Sequence, residues 1–370
     1  MKFTCEKALL VSAISVASRT VAQKSAIPAL EGILVRAGVK VTLTGYNLET
    51  GITVGVDAEV SEGGAAVFPA RLFFDIIRKL PDDMVSISVD DSFRVSILGG
   101  ISSFSITAMS AEDFPELPDV DSEKAISIPK CELKNLISGT LFAASENMAR
   151  PVHTGCLFEV DAQSITAVAV DGYRLALRRW TPEAPIDRTV KFVAPGAALK
   201  EVEKILDDSD ALCSFCPGSK HILFSVDDAT LVCRLLEGEF LEWRRVLPEK
   251  NPILLTANVS QITDSIERVG LIISEKLKSP VRCKFGDNTA DFRTLSTIGE
   301  AHDMCPVSGD GKDLEIGFNC RYLLDALRAV PDSECTLEFI NGLSPIVINP
   351  TDGSQRYSYM VLPVRLKAGE

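Results

Sequence analysis

Residues equipped for chemistry are few in this chain. It has only three histidines, His153, His221 and His302, beside ten cysteines. The tightest grouping of metal- or redox-competent side chains is Cys213-Ser-Phe-Cys216 with His221 following. A closed tetrahedral site needs four such ligands, and no second CxxC supplies the missing pair. The run Ala211–Cys216 also alternates as a strand would, which sends residues three apart to opposite faces. Two core-facing or half-exposed thiols are the expectation there. His153 and Cys156 share that spacing; a Cys–His hydrolase would need them in contact, plus oxyanion donors. The strand-like sequence around Leu157 turns them apart. Neither a GxxxxGK[ST] nor a GxGxxG loop is present, so no nucleotide cradle is expected. The residue inventory points to no enzyme, no cofactor and no metal.

A different pattern is far more regular. Arg71, Asp75 and Arg78 are spaced i, i+4, i+7, which puts them on one face of a helix. The same spacing recurs as Ala197, Glu201 and Lys204, and again as Arg321, Asp325 and Arg328. Behind each trio stands one repeating unit: a short strand, an amphipathic helix, a Pro-Asp or Asp-Asp break, and a further strand. The copies are AAVFPARLFFDIIRKLPDDMVSISVDD from Ala65, VKFVAPGAALKEVEKILDDSDALCSFC from Val190, and LEIGFNCRYLLDALRAVPDSECTLEFI from Leu314. Aligning Pro69, Pro195 and Asn319 fixes their register, with offsets of 126 and 124 residues. Leu72, Phe73, Ile76, Ile77 and Leu80 form the apolar stripe of the first copy. Leu199, Val202, Ile205 and Leu206 form the second, and Leu323, Leu324, Leu327 and Val330 the third.

A second strand-helix unit precedes each of these: KFTCEKALLVSAISVASRT, ISIPKCELKNLISGTLFAAS and ILLTANVSQITDSIERVGLIIS. Leu10, Ile14, Ala17 and Val21 stripe the first, and Ile262, Ile266 and Val269 the third. The six helical segments are read as 6–25, 69–80, 129–151, 195–206, 260–280 and 319–330. Alternating strands such as Gly51–Val60, Leu157–Val160, Ile165–Val170 and Val281–Phe285 lie between them. Turn signals punctuate these at Asp90-Asp91, Asp227-Asp228, Asn341-Gly342 and Thr351-Asp352-Gly353. The reading is three α+β domains, each with two helices packed on about eight antiparallel strands.

Composition agrees with this. At 370 residues, 46% hydrophobic and 24% charged, the chain can form two or three globular cores. Its longest apolar runs are far short of a membrane span, and the start MKFTCEKALL carries Glu6 and no cleavage-type segment. A cytoplasmic protein with reduced thiols is expected, with no membrane partner. The net charge of −13 argues against phosphate binding until its distribution is counted. The six helical segments hold 16 basic and 10 acidic residues, leaving 22 basic and 41 acidic ones elsewhere. Net basic helices in an acidic chain suit a surface that attracts phosphate weakly and without regard to sequence. Helix propensity accounts for part of that bias, and solvated helix faces on tandem domains are the plainer alternative.

Over nearly its whole length the chain resembles the bacterial DNA polymerase III sliding clamp (beta subunit) family. The resemblance is carried by Met1-Lys2-Phe3-Thr4, by Val67-Phe68-Pro69-Ala70-Arg71-Leu72-Phe73-Phe74-Asp75-Ile76 with Leu80-Pro81, and by Phe104-Ser105-Ile106 leading to Glu112-Asp113-Phe114-Pro115. Asp171-Gly172-Tyr173-Arg174-Leu175-Ala176 continues it, as do Gly238-Glu239-Phe240 to Arg244-Arg245-Val246-Leu247-Pro248. Glu315-Ile316-Gly317-Phe318-Asn319 and the ending Leu362-Pro363-Val364-Arg365-Leu366 complete it.

The resemblance implies the DNA clamp fold, with domains at 1–120, 121–248 and 249–370, and a head-to-tail homodimer ring around double-stranded DNA. It implies a replicative polymerase subunit, a clamp loader and other clamp-binding-motif proteins as partners. Their hydrophobic peptide would meet His153, Thr154, Val170, Gly172, Tyr173, Arg174, Leu175, Leu241, Arg245, Val246, Pro345, Met360, Leu362 and Arg365. The expected DNA-facing residues are Lys24, Arg71, Arg78, Lys79, Asn147, Arg150, Lys200, Lys204, Lys276, Lys278, Arg321 and Arg328. Phe104 and Ile106 would meet Ile272 and Ile273 at the dimer interface. This sequence departs from the family at Arg150-Pro151-Val152-His153, where aromatic residues are frequent, and at Pro345, where a small polar residue is common. Lys367–Glu370 extend past the usual end. A monomeric scaffold with the same repeat is the rival reading, and solution stoichiometry separates the two.

Overall fold

Each aligned repeat residue stands immediately before a helix. The computed structural model describes residues 1–248, 250–273 and 279–366. Among these lie α1 (Lys7–Ala17), α2 (Ala70–Lys79), α3 (Lys130–Leu141), α4 (Gly196–Ile205), α5 (Val259–Gly270) and α6 (Cys320–Arg328). Pro69 precedes α2, Pro195 precedes α4 and Asn319 precedes α6. In the third repeat the caps are explicit: Asn258 Oδ1 accepts the Gln261 N–H at 3.1 Å, and Asn319 Oδ1 accepts that of Tyr322 at 3.3 Å. Such side chains satisfy donors that the first helical turn leaves unpaired. Arg78 and Lys79 close α2, where cations oppose the negative end of the helix dipole.

Three helices are shorter than the sequence pattern suggests. α1 ends at Ala17, not near Ser25, and passes into a single 3-10 turn at Ser18–Thr20. α3 stops at Leu141, not near Pro151, because the Ala143 and Ala144 N–H groups bond back three residues and tighten the last turn. α5 stops at Gly270, the weakest helix former in its stretch, and Leu271 likewise bonds back to Arg268. Ile272 and Ile273 therefore follow a helix without belonging to it.

The strands form three antiparallel sheets of five, nine and ten strands. The nine-stranded sheet joins first- and second-repeat strands through Thr50–Val56 against Ala229–Arg234. The ten-stranded sheet joins second and third through Arg174–Trp180 against Tyr357–Val361. Compact bodies and sequence repeats consequently differ. One body is Met1–Leu133 with Ala197–Leu235, and the other is Lys134–Gly196 with Leu236 onward, so the middle repeat is divided between them.

Most expected stripes are buried. Phe73, Ile76, Ile77 and Leu80 are at most 6% exposed, as are Leu199, Val202 and Leu206. Leu323, Leu324, Leu327 and Val330 are buried as well. Leu72 is 47% exposed, lying one residue outside the face that Phe73 and Ile77 present to the sheet, and Val21 and Ile205 are half-buried. The first body also contains an ion cluster at the start of α3. The Lys130 ammonium, 5% exposed, lies 2.7 Å from Asp227 and 3.3 Å from Asp207.

Candidate functional site

The three helix trios have the same environment in every repeat. Arg71, Arg78, Ala197, Lys204, Arg321 and Arg328 are exposed, while Asp75, Glu201 and Asp325 are half-buried between them. Each central carboxylate pairs with a basic residue of its own trio, Asp75 with Arg78 at 3.4 Å, Glu201 with Lys204 at 2.7 Å and Asp325 with Arg321 at 3.9 Å. Glu201 also holds Arg19 at 3.6 Å, and Asp325 holds Arg174 at 2.6 Å. The cationic face is thus weaker than its residue count. Lys24, Lys79, Asn147, Arg150 and Lys200 are exposed too. The Asn147 Oδ1 is occupied by the Ala149 N–H in a local turn. Lys276 and Lys278 lie outside the described residues, as do Lys367–Glu370.

The fourteen pocket candidates all fall in the second body. They are arranged as a floor and a rim. Val170, Leu175 and Met360 are 1–3% exposed and are successive cross-strand partners, Val170 with Leu175 and Leu175 with Met360. They belong to one apolar cluster with Val152, Phe240, Trp243 and Val347, against which Leu362 packs. Above this floor Gly172, Tyr173, Leu241, Arg245, Val246 and Arg365 are exposed, and His153, Thr154, Pro345 and Leu362 are half-buried.

The rim is shaped by a hairpin turn. Asp171 Oδ1 accepts the Tyr173 and Arg174 N–H groups at 2.9 and 3.1 Å, and Gly172 takes φ +92°, a conformation L side chains resist. Leu362 N–H donates to the Tyr173 carbonyl at 2.8 Å, which ties the C-terminal strand to the turn. His153 packs edge-on against Phe240 with centroids 5.4 Å apart. Burial, and then the nearby Arg150, lower its pKa below the ordinary value.

Arg174, expected among the residues that meet the peptide, is engaged inside the protein. Its side chain is 8% exposed; Nε donates to Asp171 at 2.9 Å and Nη1 to Asp325 at 2.6 Å. Its guanidinium also lies 4.4 Å from the Tyr322 ring centroid and 5.6 Å from that of Phe142. The group is already occupied as a structural clamp. Sequence reading missed Asp325 and Tyr322 as its partners, although Asp325 had been placed on a charged face. It also left Phe240 and Trp243 unassigned inside a motif it used. The Trp243 Nε1–H is buried and has no hydrogen-bond partner among the described residues.

Of the interface candidates, Phe104 and Ile106 lie on a sheet border, and Ile272 and Ile273 lie just after α5. Ser102–Thr107 is the last strand of the five-stranded sheet, and Val281–Ser296 the last of the ten-stranded one. Phe104 and Ile106 pair with Ile97 and Val95, so they share the core-side face, yet Phe104 is 40% exposed. An uncovered apolar strand edge is a surface that folded proteins ordinarily protect.

The thiols are structural. Cys213 and Cys216 are buried, and their Sγ atoms donate to different carbonyls, Ile128 at 3.3 Å and Asp121 at 3.0 Å. Cys156 is enclosed, its pKa pushed up to about 12 by burial, so it offers no thiolate to His153. No group of three or more metal-ligating side chains occurs among the described residues.

Three tandem α+β repeats, each with exposed basic residues on its second helix, are the architecture of a clamp-type protein. Residues 1–118, 127–242 and 244–365 match the models of the DNA polymerase III beta subunit N-terminal, central and C-terminal domains. The chain is 30% identical over 378 aligned residues to the beta sliding clamp of Staphylococcus aureus, covering 99% of both chains. Among solved structures it is similar to the DNA polymerase sliding clamp of Bacillus subtilis, with TM-score 0.94 and 29% identity over 99% of this chain and all of that one. It is also similar to the Pseudomonas aeruginosa sliding clamp bound to griselimycin, with TM-score 0.93 and 27% identity over the same shares. The chain belongs to the DNA polymerase III beta subunit family, the bacterial sliding clamps. Its function is that of a processivity subunit in DNA replication, not of a catalyst.

Proposed function

We propose that two copies of this chain close head to tail into a ring around duplex DNA, in the cytoplasm, and hold a replicative polymerase to it. The carrying observation is the thrice-repeated exposed cationic face in a chain whose net charge is −13. Such a face attracts phosphate without reading bases, so it retains DNA and permits sliding. Arg71, Arg78, Lys79, Lys200, Lys204, Arg321 and Arg328, with Lys24, Asn147 and Arg150, are the exposed residues that would meet the DNA. Repeat spacing supports domains at 1–120, 121–248 and 249–370, with shared sheets holding them in series.

The floor of Val170, Leu175 and Met360 and the rim of Tyr173, Leu241, Val246 and Leu362 suit a short apolar peptide segment. Clamp loader and polymerase subunits carrying such a segment would dock there one at a time. The apolar side chains supply most of the affinity, and ordering a short peptide keeps it in the micromolar range.

Ring closure would pair Ser102–Thr107 of one copy with Val281–Ser296 of the next, burying Phe104 and Ile106 against Ile272 and Ile273. Changing Ile272→Asp and Ile273→Asp together buries two unpaired charges and should leave monomers by light scattering at micromolar concentration. A double variant that stays dimeric would show that the contact lies elsewhere.

A further inference from the structure

The pocket rim and the cationic helix of the third repeat are one electrostatic unit. Asp325, on the second turn of α6, receives Arg174 Nη1 at 2.6 Å. It also lies 3.9 Å from the Nε of Arg321, whose side chain is 77% exposed. Arg174 in turn donates to Asp171 at 2.9 Å, and Asp171 fixes the Tyr173 and Arg174 N–H groups that form the turn. Tyr173 stacks on Tyr322 of the same helix, with centroids 6.1 Å apart and planes 27° from parallel. The series Arg321–Asp325–Arg174–Asp171 therefore alternates in charge from the helix surface to the peptide rim.

We propose that Asp325 is a positioning residue shared by the two sites, through which DNA held at Arg321 tightens the peptide pocket. The inference rests on the reading of α6 as DNA-facing and of the Tyr173 turn as peptide rim. A phosphate that takes Arg321 removes the weaker of the two cations around Asp325. The carboxylate then falls wholly to Arg174, whose guanidinium is 8% exposed and so little screened by water. A more firmly held Arg174 fixes Asp171 and the turn, and a pre-ordered rim costs a peptide less to bind. Linkage makes the effect reciprocal: the docked peptide strengthens DNA binding by the same factor. A clamp built this way favours partners when it is already on DNA.

The experiment measures affinity of a fluorescent, net-neutral apolar peptide by anisotropy, without DNA and with saturating short duplex at low salt. For the unaltered chain the dissociation constant should fall about fivefold on adding duplex, the lower end of typical coupling. Arg321→Ala removes the same cation that a phosphate would take, so it should bind peptide about fivefold more tightly without DNA and show a ratio near one. Asp325→Asn keeps shape and an acceptor for Arg174 but not the charge, so it too should give a ratio near one. Its dimer and unfolding midpoint serve as the folding control. Peptide and duplex each binding the unaltered chain with a ratio of one would overturn the linkage alone. So would an Asp325→Asn ratio equal to the unaltered one. Absence of any peptide binding would overturn the pocket reading and the linkage with it.

Discussion

Arg174→Ala should be among the most destabilising single changes in the second body, although the residue lies at a surface pocket. Removing one partner of a buried ion pair costs about 3–5 kcal/mol, because the other charge stays desolvated. Here the stranded carboxylates of Asp171 and Asp325 keep 11% and 22% exposure. Water reaches them in part, which lowers that figure to about 2–3 kcal/mol. Loss of the guanidinium from the Tyr322 and Phe142 rings, 4.4 and 5.6 Å away, adds about 0.5–1 kcal/mol. A total near 3 kcal/mol corresponds to a fall of about 6–12 °C in the unfolding midpoint for a body of this size.

Urea titration by fluorescence and circular dichroism reads the loss directly. Adding Asp325→Asn to Arg174→Ala should recover part of it, since the neutral amide no longer strands a charge. Arg174→Lys keeps the charge but not the fork, and should fall between the extremes. A loss under about 1 kcal/mol for Arg174→Ala would refute the clamp and return the side chain to ligand binding.

Met360→Ala with Leu362→Ala should weaken a Leu- and Phe-containing peptide at least tenfold by calorimetry, because half-buried Leu362 loses apolar contact with it and the truncated Met360 leaves a cavity in the floor beneath. Sizing should still show the dimer, and unchanged affinity would move the partner site elsewhere. Ala at Arg71, Arg321 or Arg328 should lower the slope of log affinity for DNA against log salt by about one, equally for unrelated sequences. A loss confined to one sequence would contradict a sliding surface. Asp207 has its pKa lowered to about 2 by the Ser209 hydroxyl and backbone N–H, and further by Lys130. Its folded value lies below its ordinary one, so its stabilisation is full above about pH 3.8 and fades as pH falls toward 2. Asp207→Asn should therefore lower the thermal midpoint at pH 6 and converge on the unaltered chain near pH 2; a constant difference would contradict that assignment.

The helices were legible because period and punctuation agree: Pro69, Pro195 and Asn319 fall before three helices whose apolar stripes are buried. Partners across the sheets were not, since a period of two says which face is covered and not which strand lies alongside. Nothing local in Thr50–Val56 indicates that it pairs with Ala229–Arg234. The same limit hid Arg174. Its motif was evident, but Asp325 is 151 residues away in the chain, and only the fold shows the guanidinium spent inside the protein. Leu72 was misplaced by adding it to the stripe of Phe73, Ile76, Ile77 and Leu80, when an amphipathic helix leaves some apolar residues at its border. The floor of the pocket reads as ordinary core residues, and only the family resemblance had assembled them into a site.

The central claim is that this chain holds DNA by topology, with its cationic helices lending only weak contacts. The direct measurement is retention of labelled protein on nicked circular duplex, placed there by a clamp loader, during gel filtration at high salt. The protein should stay with the circle, where salt has removed most phosphate contacts, and should be lost once a single restriction cut gives the ring an end to slide from. Equal retention on circular and linear DNA, or loss from both, would contradict the encircling ring.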